Sequence, residues 1–318
     1  MGTHSGTFHC DEALAVYMLR QTSTYKDSPV KRTRDPAILE TCDIVVDVGG
    51  VYDESKQRFD HHQRGFTEVL GHGFNTKLSS AGLVYKHFGK ELISLKTQLP
   101  VDHPNVHTLW LKLYENFIES IDGIDNGIDA YTGTRNYKIR TDLSSRVSRC
   151  NPSWREPSDA ASMDARFEKA SGLTGEEFSA QLSGYADDWL PAREIVIKSI
   201  EKSKKIDPTG RIVVFDQFVP WKEHVMTYEE ENNLGKQFLY GLFQDDSSKQ
   251  WRVTCVPQSH DGFANRKPLP EAWRGFRDEE LSKISDIPGC VFVHIAGFTG
   301  GNRTYEGALA MAKYAAES

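Results

Sequence analysis

Hydrophobic and polar positions divide the chain into two textures. In the first, short apolar runs alternate with helical patterns. Residues 11–21 (DEALAVYMLRQ) carry apolar side chains at helical spacing, with Asp11 and Glu12 favourably placed in the first turn. Residues 29–34 suit a short strand, 43–48 (DIVVDV) a buried strand ending at Gly49-Gly50, and 57–60 an extended run into His61-His62. The spacing predicts a helix over 79–88, ended by Gly89, and a longer one over 105–121 that starts just after Pro104. Strands separated by helices imply a parallel sheet with right-handed crossovers.

From 142 to 203 the pattern is mostly helical: residues 159–170, then 174–205 with a break at Pro191. The charged turn over 204–210 (KKIDPTG) then changes the texture and is read as a domain boundary. The expected domains are 1–205, with a helical segment over 142–205 leading to the linker, and 206–318. Strands are predicted at 211–215, 238–243, 251–256 and 290–295, and a small-residue helix at 304–316. The fold class is therefore α/β, a helix-flanked parallel sheet followed by a smaller C-terminal α/β domain.

Composition narrows the function classes. Hydrophobic residues are 38% and aromatic residues 11% of the 318, which excludes disorder as the main state. No apolar run reaches the length of a membrane span, so no membrane partner is expected. Five scattered cysteines, without a CxxC pair, fit a reducing compartment better than a disulfide scaffold. The net charge is −7, and it is spread evenly: residues 1–186 hold 21 basic and 25 acidic side chains, the remainder 17 and 20. Neither half has the basic footprint of a protein that coats duplex nucleic acid. A phosphate-bearing substrate held by a few placed groups, or by metals, remains compatible.

Four separated segments carry metal-competent side chains. They are His4 to Glu12 (HSGTFHCDE), Asp47 at the end of an apolar strand, Asp60-His61-His62, and Asp122 with Asp125 nearby. In an open α/β sheet, ligands bind beyond the carboxyl ends of the strands, and three of these segments fall at predicted strand ends. Singly, each has an ordinary structural explanation: Asp47 could cap a turn and Asp122 could end a helix. Together they point to a metal centre. Imidazoles and carboxylates without thiolates suit Mn²⁺ or a similar divalent ion, and a pair of such ions about 3.5–4 Å apart can clamp the oxygens of a phosphoryl displacement.

The order of these segments resembles the DHH phosphoesterase superfamily, named for the triplet that stands here as Asp60-His61-His62. More closely, the chain resembles one branch, the melanocyte-proliferating-gene (MYG-type) exonuclease family. The resemblance is carried by GTHSGTFHCDEALA, DVGG, FDHHQRGF, KLSSAGLVY and IDGIDNGI, and it continues through PWKEH, NRKPLPEAWRG and GFTGGNRTYEGALAMA. It therefore spans nearly the whole chain. One departure from the wider superfamily is that His9 stands where the first of two aspartates usually follows the opening histidine. This makes the first metal site less negative.

The resemblance implies a metal-dependent phosphodiesterase acting as a 3′-to-5′ exonuclease on single-stranded RNA or oligonucleotides, releasing nucleoside monophosphates. Two Mn²⁺ ions are expected, with Mg²⁺ as the alternative. His4, His9 and Asp47 would hold one ion; Asp11, Asp47, His61 and Asp122 the other, with the choice between Asp122 and Asp125 left open. Asp60 would orient a ligand histidine, and His62 would face the scissile phosphate as hydrogen-bond donor or general acid. The rivals are hydrolysis of short oligonucleotides, dinucleotides or pyrophosphate, and an RNA-binding module without turnover. Nuclear and mitochondrial residence is expected, with a natural extension before Met1 removed. The oligomeric state is open, a homodimer included.

Substrate contacts are expected from Arg64 in the FDHHQRGF segment and from the second domain. Gly300, Gly301, Asn302 and Arg303 precede the last helix, whose free N–H groups would attract an anion. Arg266-Lys267 resembles a basic substrate-binding motif of manganese pyrophosphatases. Lys222 and His224, beside Trp221, would hold a phosphate next to a stacked base. His103 and His107 read as structural, since Pro104 excludes the first from the helix. Residues 121–129 (IDGIDNGID) lack EF-hand ligand spacing.

Overall fold

The computed structural model describes residues 1–318 except 135, 261 and 263. The chain divides into two compact units, residues 1–186 and 187–318.

The first unit opens with β1 (Gly2–Thr3), α1 (Cys10–Gln21), β2 (Lys31–Arg32), α2 (Pro36–Leu39), β3 (Val45–Val46), β4 (Tyr52–Asp53) and β5 (Arg58–Phe59). These strands form one sheet in the order β2-β1-β3-β5-β4. All neighbours are parallel except β4, which returns antiparallel along β5. The chemistry-bearing residues begin directly where β1, β3 and β5 end: His4, Asp47 and Asp60. Because those strands are parallel neighbours, their ends share one edge of the sheet.

A hairpin, β6 (Val69–Gly71) and β7 (Phe74–Lys77), precedes α3 (Ser80–Thr97). Helix α3 runs past Gly89 instead of ending there. A Cβ at Gly89 would stand 2.9 Å from the Tyr85 ring and 3.0 Å from Trp110, so this glycine serves close packing and not a cap. Helices α4 (Pro104–Leu113) and α5 (Glu119–Asp125) are joined by a π-helical turn over Tyr114–Ile118, which carries helical chain past the expected end at 121. Helices α6 (Leu143–Ser148) and α7 (Ala160–Ser183) complete the unit; α7 continues through 171–173, where a gap was expected.

Helix α1 packs against α3 and α7, and its residues from Cys10 to Val16 are buried. Gly175 in α7 makes that contact close, since a Cβ there would lie 2.1 Å from the Tyr17 ring. Gly175→Ala should therefore destabilise the protein by about 2 kcal/mol, overpacking outweighing any helix-propensity gain. A urea midpoint equal to that of wild type would disprove this.

The second unit contains α8 (Leu190–Ser203), β8 (Ile212–Val214), α9 (Trp221–Glu231), β9 (Tyr240–Gln244), β10 (Trp251–Cys255), α10 (Asp278–Ser285), β11 (Cys290–Val293), β12 (Thr299–Asn302) and α11 (Tyr305–Glu317). The sheet order is β11-β12-β10-β9-β8, antiparallel except for β8 with β9. Alternation along β8 sorts two cores: Val213 and Phe215 pack with Val196 and Ile200 of α8, whereas Ile212 and Val214 pack with Leu281 of α10 and Met311 of α11. Helix α8 thus belongs with the second sheet, and the expected boundary at 205/206 moves back to 186/187. Pro191 does not end helical structure; it comes just after a π-helical turn over Gly184–Trp189, whose altered hydrogen-bond pattern accommodates a residue without an N–H.

All five cysteines are free. Among the described residues no helix is long and apolar enough to cross a membrane.

Candidate metal centre

His4 leaves β1 with its ring buried. Its Nε2 lies 2.9 Å from Glu12 Oε1 and 3.3 Å from Asp47 Oδ2. His9 is the N-cap of α1, and its backbone N–H donates to both Glu12 carboxylate oxygens at 2.9 Å. This N-cap to third-residue spacing fixes Glu12 under His4.

Asp47 follows β3 with φ of 56°, in the left-handed region that aspartate tolerates better than most residues. Ser80 Oγ donates to Asp47 Oδ1 at 3.2 Å and contacts Phe59 O at 3.0 Å. The same Oδ1 lies 3.4 Å from His61 Nε2 and 3.3 Å from His62 Nδ1. Burial alone would push the Asp47 carboxyl up, but the adjacent His4 and His61 imidazoles reverse this and hold it well below the usual range.

His61 is buried, and Asn126 orients it. The Asn126 amide nitrogen donates to Lys77 O and Asp122 O, both at 2.9 Å, which leaves Oδ1 to accept from His61 Nδ1 at 3.3 Å. His61 Nε2 then faces the acids: Asp125 Oδ2 at 3.1 Å and Asp11 Oδ2 at 4.0 Å. Despite this proximity it makes no aligned hydrogen bond.

Asp11 is 1% exposed, and neither carboxylate oxygen has a hydrogen-bond partner. Burial, reinforced by the charges of Asp47, Asp125 and Glu12, raises its pKa well above the ordinary value. A buried, orphaned carboxylate among other acids is costly unless a cation compensates it. Three groups of donor atoms lie within 4.8 Å of one another: His4, His9, Glu12 and Asp47; Asp47, His61 and His62; and His9, Asp11 and Asp125. Asp47 and His9 each belong to two groups. The donor set fits hard-to-borderline divalent ions.

Asp122, expected as a ligand, is placed elsewhere. It is fully buried, and Oδ1 accepts from Ser79 N (2.9 Å), Ser79 Oγ (2.7 Å) and Gly82 N (3.1 Å), while Oδ2 accepts from Tyr114 OH at 3.0 Å. Its oxygens fasten the start of α3, and a Cβ on Gly82 would lie 2.3 Å from Oδ2. Asp125, one turn further along α5, is the carboxylate that reaches the centre. Asp60 also differs from expectation. Its Oδ1 accepts from His62 N at 3.0 Å and pairs with His62 Nδ1 at 2.8 Å, and its Oδ2 accepts from Gly50 N at 2.6 Å. It orients the half-exposed His62, not the ligand candidate His61.

Glu12, Asp125 and Asn126 complete the constellation. Glu12 was legible as the third residue after an N-cap histidine; the role of Asn126 had no sequence signal.

The expected substrate residues of the second unit are mostly committed within it. Gly300 and Gly301 are buried in β12, paired to both β10 and β11, so they form no anion-binding turn. Asn302 is buried, donating to Pro288 O at 2.9 Å and accepting from Thr304 N at 3.0 Å. The Arg266 guanidinium is buried against Glu229 at 2.7 Å and donates to Pro257 O and Phe238 O. Lys267 Nζ donates to Ala316 O at 3.0 Å, and His224 Nε2 bonds Trp189 O at 2.7 Å. Arg303 is exposed, 3.4 Å from Asp278. Lys222 and, in the first unit, Arg64 are exposed.

The two buried imidazoles make metal uptake proton-linked. Burial opposes charge on His4 and His61, but the carboxylates beside them, Asp47 and Glu12 for His4 and Asp125 and Asp47 for His61, overcome it and raise both to about 10. An ion taking these nitrogens displaces their protons, so affinity should rise with pH across the range below about 10. Calorimetry at about pH 7.5 in buffers of different ionisation enthalpy should report release of about two protons when the centre fills. No release would contradict the assignment.

Comparison with known proteins places the chain. The MYG1 exonuclease family model, described as an uncharacterised protein family (UPF0160), matches residues 1–316. The chain is 50% identical over 324 residues to MYG1 protein C27H6.8 of Caenorhabditis elegans, covering 100% of this chain and 95% of that one. It is 47% identical over 321 residues to MYG1 exonuclease of Homo sapiens, covering 98% and 84%. A crystal structure of RecJ in complex with Mn²⁺ from Thermus thermophilus is 14% identical, covers 100% of this chain and 52% of that one, and has a TM-score of 0.26, too low to carry an argument. With a family model matched almost from end to end, and relatives near half identity over nearly the full length, this chain belongs to the MYG1 exonuclease family.

Proposed function

We propose that this chain is a divalent-metal-dependent phosphodiesterase that shortens single-stranded RNA from its 3′ end, releasing nucleoside monophosphates. Two Mn²⁺ ions are its proposed cofactors, with Mg²⁺ as substitute. The observation that carries the metal-dependent part is Asp11, buried with both oxygens unpartnered and facing imidazoles and acids. RNA and 3′ polarity rest on the family resemblance. Four mammalian relatives are named exonucleases.

Ions held by His4, His9, Glu12 and Asp47, and by Asp11, Asp47, His61 and Asp125, would supply an activated water and neutralise charge on the phosphate. The chain's own contribution is placement. A cleft of about 260 Å³ lined by Phe8, His9, Cys10, His62, Ile124 and Asp125 receives the phosphodiester. Asp60 holds Nδ1 of His62, which leaves Nε2 to hydrogen-bond the phosphate or hand a proton to the departing 3′-oxygen. Arg64, exposed in the same unit as the centre, is a cation proposed for the strand; Lys222 is exposed on the second unit. Nuclear and mitochondrial residence belongs to the same reading.

A 5′-labelled RNA of about 20 nucleotides, incubated with protein and Mn²⁺, should give a ladder shortening from the 3′ end together with monophosphates. Chelation should stop the reaction, and added Mn²⁺ should restore it. An intact oligomer alongside hydrolysed dinucleotide or pyrophosphate would move the activity to small phosphates. Metal binding without turnover of any of these would leave an RNA-binding module.

A further inference from the structure

Resting on this reading, we infer that Trp154 and Arg155 form a stacking platform for an unpaired base of the strand whose end the metal centre holds. Trp154 is 87% exposed, and between residues 140 and 186 no other described large apolar side chain is exposed. An indole this open to water is uncommon, since tryptophan is highly buried on average. The Arg155 guanidinium lies over it, 4.6 Å from the ring centroid, and among the described residues no acid pairs with that guanidinium. A cation therefore covers one face of the indole and leaves the other open. The turn that presents the pair is braced. Glu156 N donates to Ser153 O at 3.0 Å, and Ser153 N donates to Glu156 Oε2 at 2.8 Å, so Trp154 and Arg155 take the two corner positions. Arg166 of α7 fastens the same turn, donating to Glu156 Oε1 at 2.7 Å and to Cys150 O at 3.3 Å.

The platform stands beside the cleft. Asn151 grips the backbone of Phe8 from both sides: Phe8 N donates to its Oδ1 at 3.1 Å, and its Nδ2 donates to Phe8 O at 2.9 Å. Phe8, His9 and Ser148 line the phosphodiester cleft. Trp154 is three residues beyond Asn151, at most about 10 Å of extended chain. A nucleotide near the one in the cleft is therefore within reach of the indole. The chemistry of the pair selects the occupant. Each base of a strand brings a π face and a neighbouring phosphate, and the pair offers an aromatic face with an unmatched cation beside it. Only an unpaired strand can splay a base onto that face. A protein partner fits less well, because one indole supplies at most about 250 Å² whereas a stable interface buries about 800 Å² on each side.

The test uses the full chain loaded with Mn²⁺ and a 5′-fluorescein oligoadenylate of about 12 nucleotides, within the site sizes of single-strand binders. Phosphorothioate linkages slow cleavage during the measurement, and a matched abasic strand keeps the phosphates without the bases. By fluorescence anisotropy, Trp154→Leu should weaken binding of the base-bearing strand by about tenfold and of the abasic strand by less than about twofold. Trp154→Tyr, which keeps a ring face, should stay within about threefold of wild type. Arg155→Gln should weaken both strands alike and reduce the log–log salt slope by about 0.7, the share of one phosphate contact. Both side chains face solvent, and equal melting temperatures and metal contents would certify the variants. No wild-type preference for bases, a Trp154→Leu affinity equal to wild type, or a Trp154→Tyr loss as large as that of Trp154→Leu overturns the platform. So does a wild-type dimer that Trp154→Leu dissolves with strand affinity unchanged, which would assign the indole to a second copy. RNA turnover without these binding effects sinks the platform alone, whereas the effects without RNA turnover sink the exonuclease reading and leave a single-strand binding face.

Discussion

Asp47→Ala should reduce divalent-metal-dependent phosphodiester hydrolysis by roughly three orders of magnitude or more, because it removes a group that acts as part of a unit. Asp47 lies within 3.4 Å of His4, His61 and His62 and belongs to two of the three donor groups. Without it both proposed ion positions lose a carboxylate, and His4 and His61 lose an acid within 3.4 Å. Metal analysis of the purified variant should show less than about one ion retained under conditions that load wild type. His61→Ala should behave similarly. His62→Ala, which removes no ligand from the His9–Asp11–Asp125 group, should lower turnover by about a hundredfold or more while leaving much of the bound metal. Turnover by Asp47→Ala near the wild-type level in a clean preparation would remove Asp47 from the centre.

Asp122→Ala has the second large effect, and it falls on stability. Four donors converge on this fully buried carboxylate, and truncation would leave Ser79 N, Ser79 Oγ, Gly82 N and Tyr114 OH without it. The expected loss is about 3–5 kcal/mol of unfolding free energy, read from urea titrations. Burial pushes this carboxyl up from 3.8 to about 7, and the four donors limit the rise. A folded-state pKa above the unfolded one means its linkage contribution is full below about pH 4 and lost as pH climbs through about 7. The gap between wild type and Asp122→Asn should therefore narrow from about pH 4 to about pH 8. A variant that keeps wild-type stability but loses its metal would return Asp122 to the ligand set.

The alternating first half made the parallel sheet readable, since each apolar run stops where a polar ligand candidate begins. What was not readable depended on distant partners. Asp122 and Asp125 are one turn apart on α5, and only the remote donors of Ser79, Gly82 and Tyr114 separate structural acid from candidate ligand. Arg266 resembled a substrate cation because its partner, Glu229, lies 37 residues away. The glycine pair at 300–301 suggested a turn, yet β12 needs small residues there: a Cβ on Gly300 would meet Leu269 and the Phe292 carbonyl at 3.0 Å. Helix α8 was assigned to the wrong unit because amphipathicity shows that a face is buried, not which sheet buries it.

The strands that deliver the ligands are only two residues long. Few ladder hydrogen bonds therefore brace the edge where Glu12, Asp11, Asp47 and Asp125 crowd, and the buried apolar residues Ile44, Val45, Val46 and Phe59 that lead into it carry much of the anchoring. Divalent ions at that edge would act as rivets between stretches far apart in sequence, replacing mutual repulsion with shared attraction. Chelation should then speed amide hydrogen exchange around His4, Asp47 and His61 by local opening, ahead of any change in the helical face formed by α1, α3 and α7.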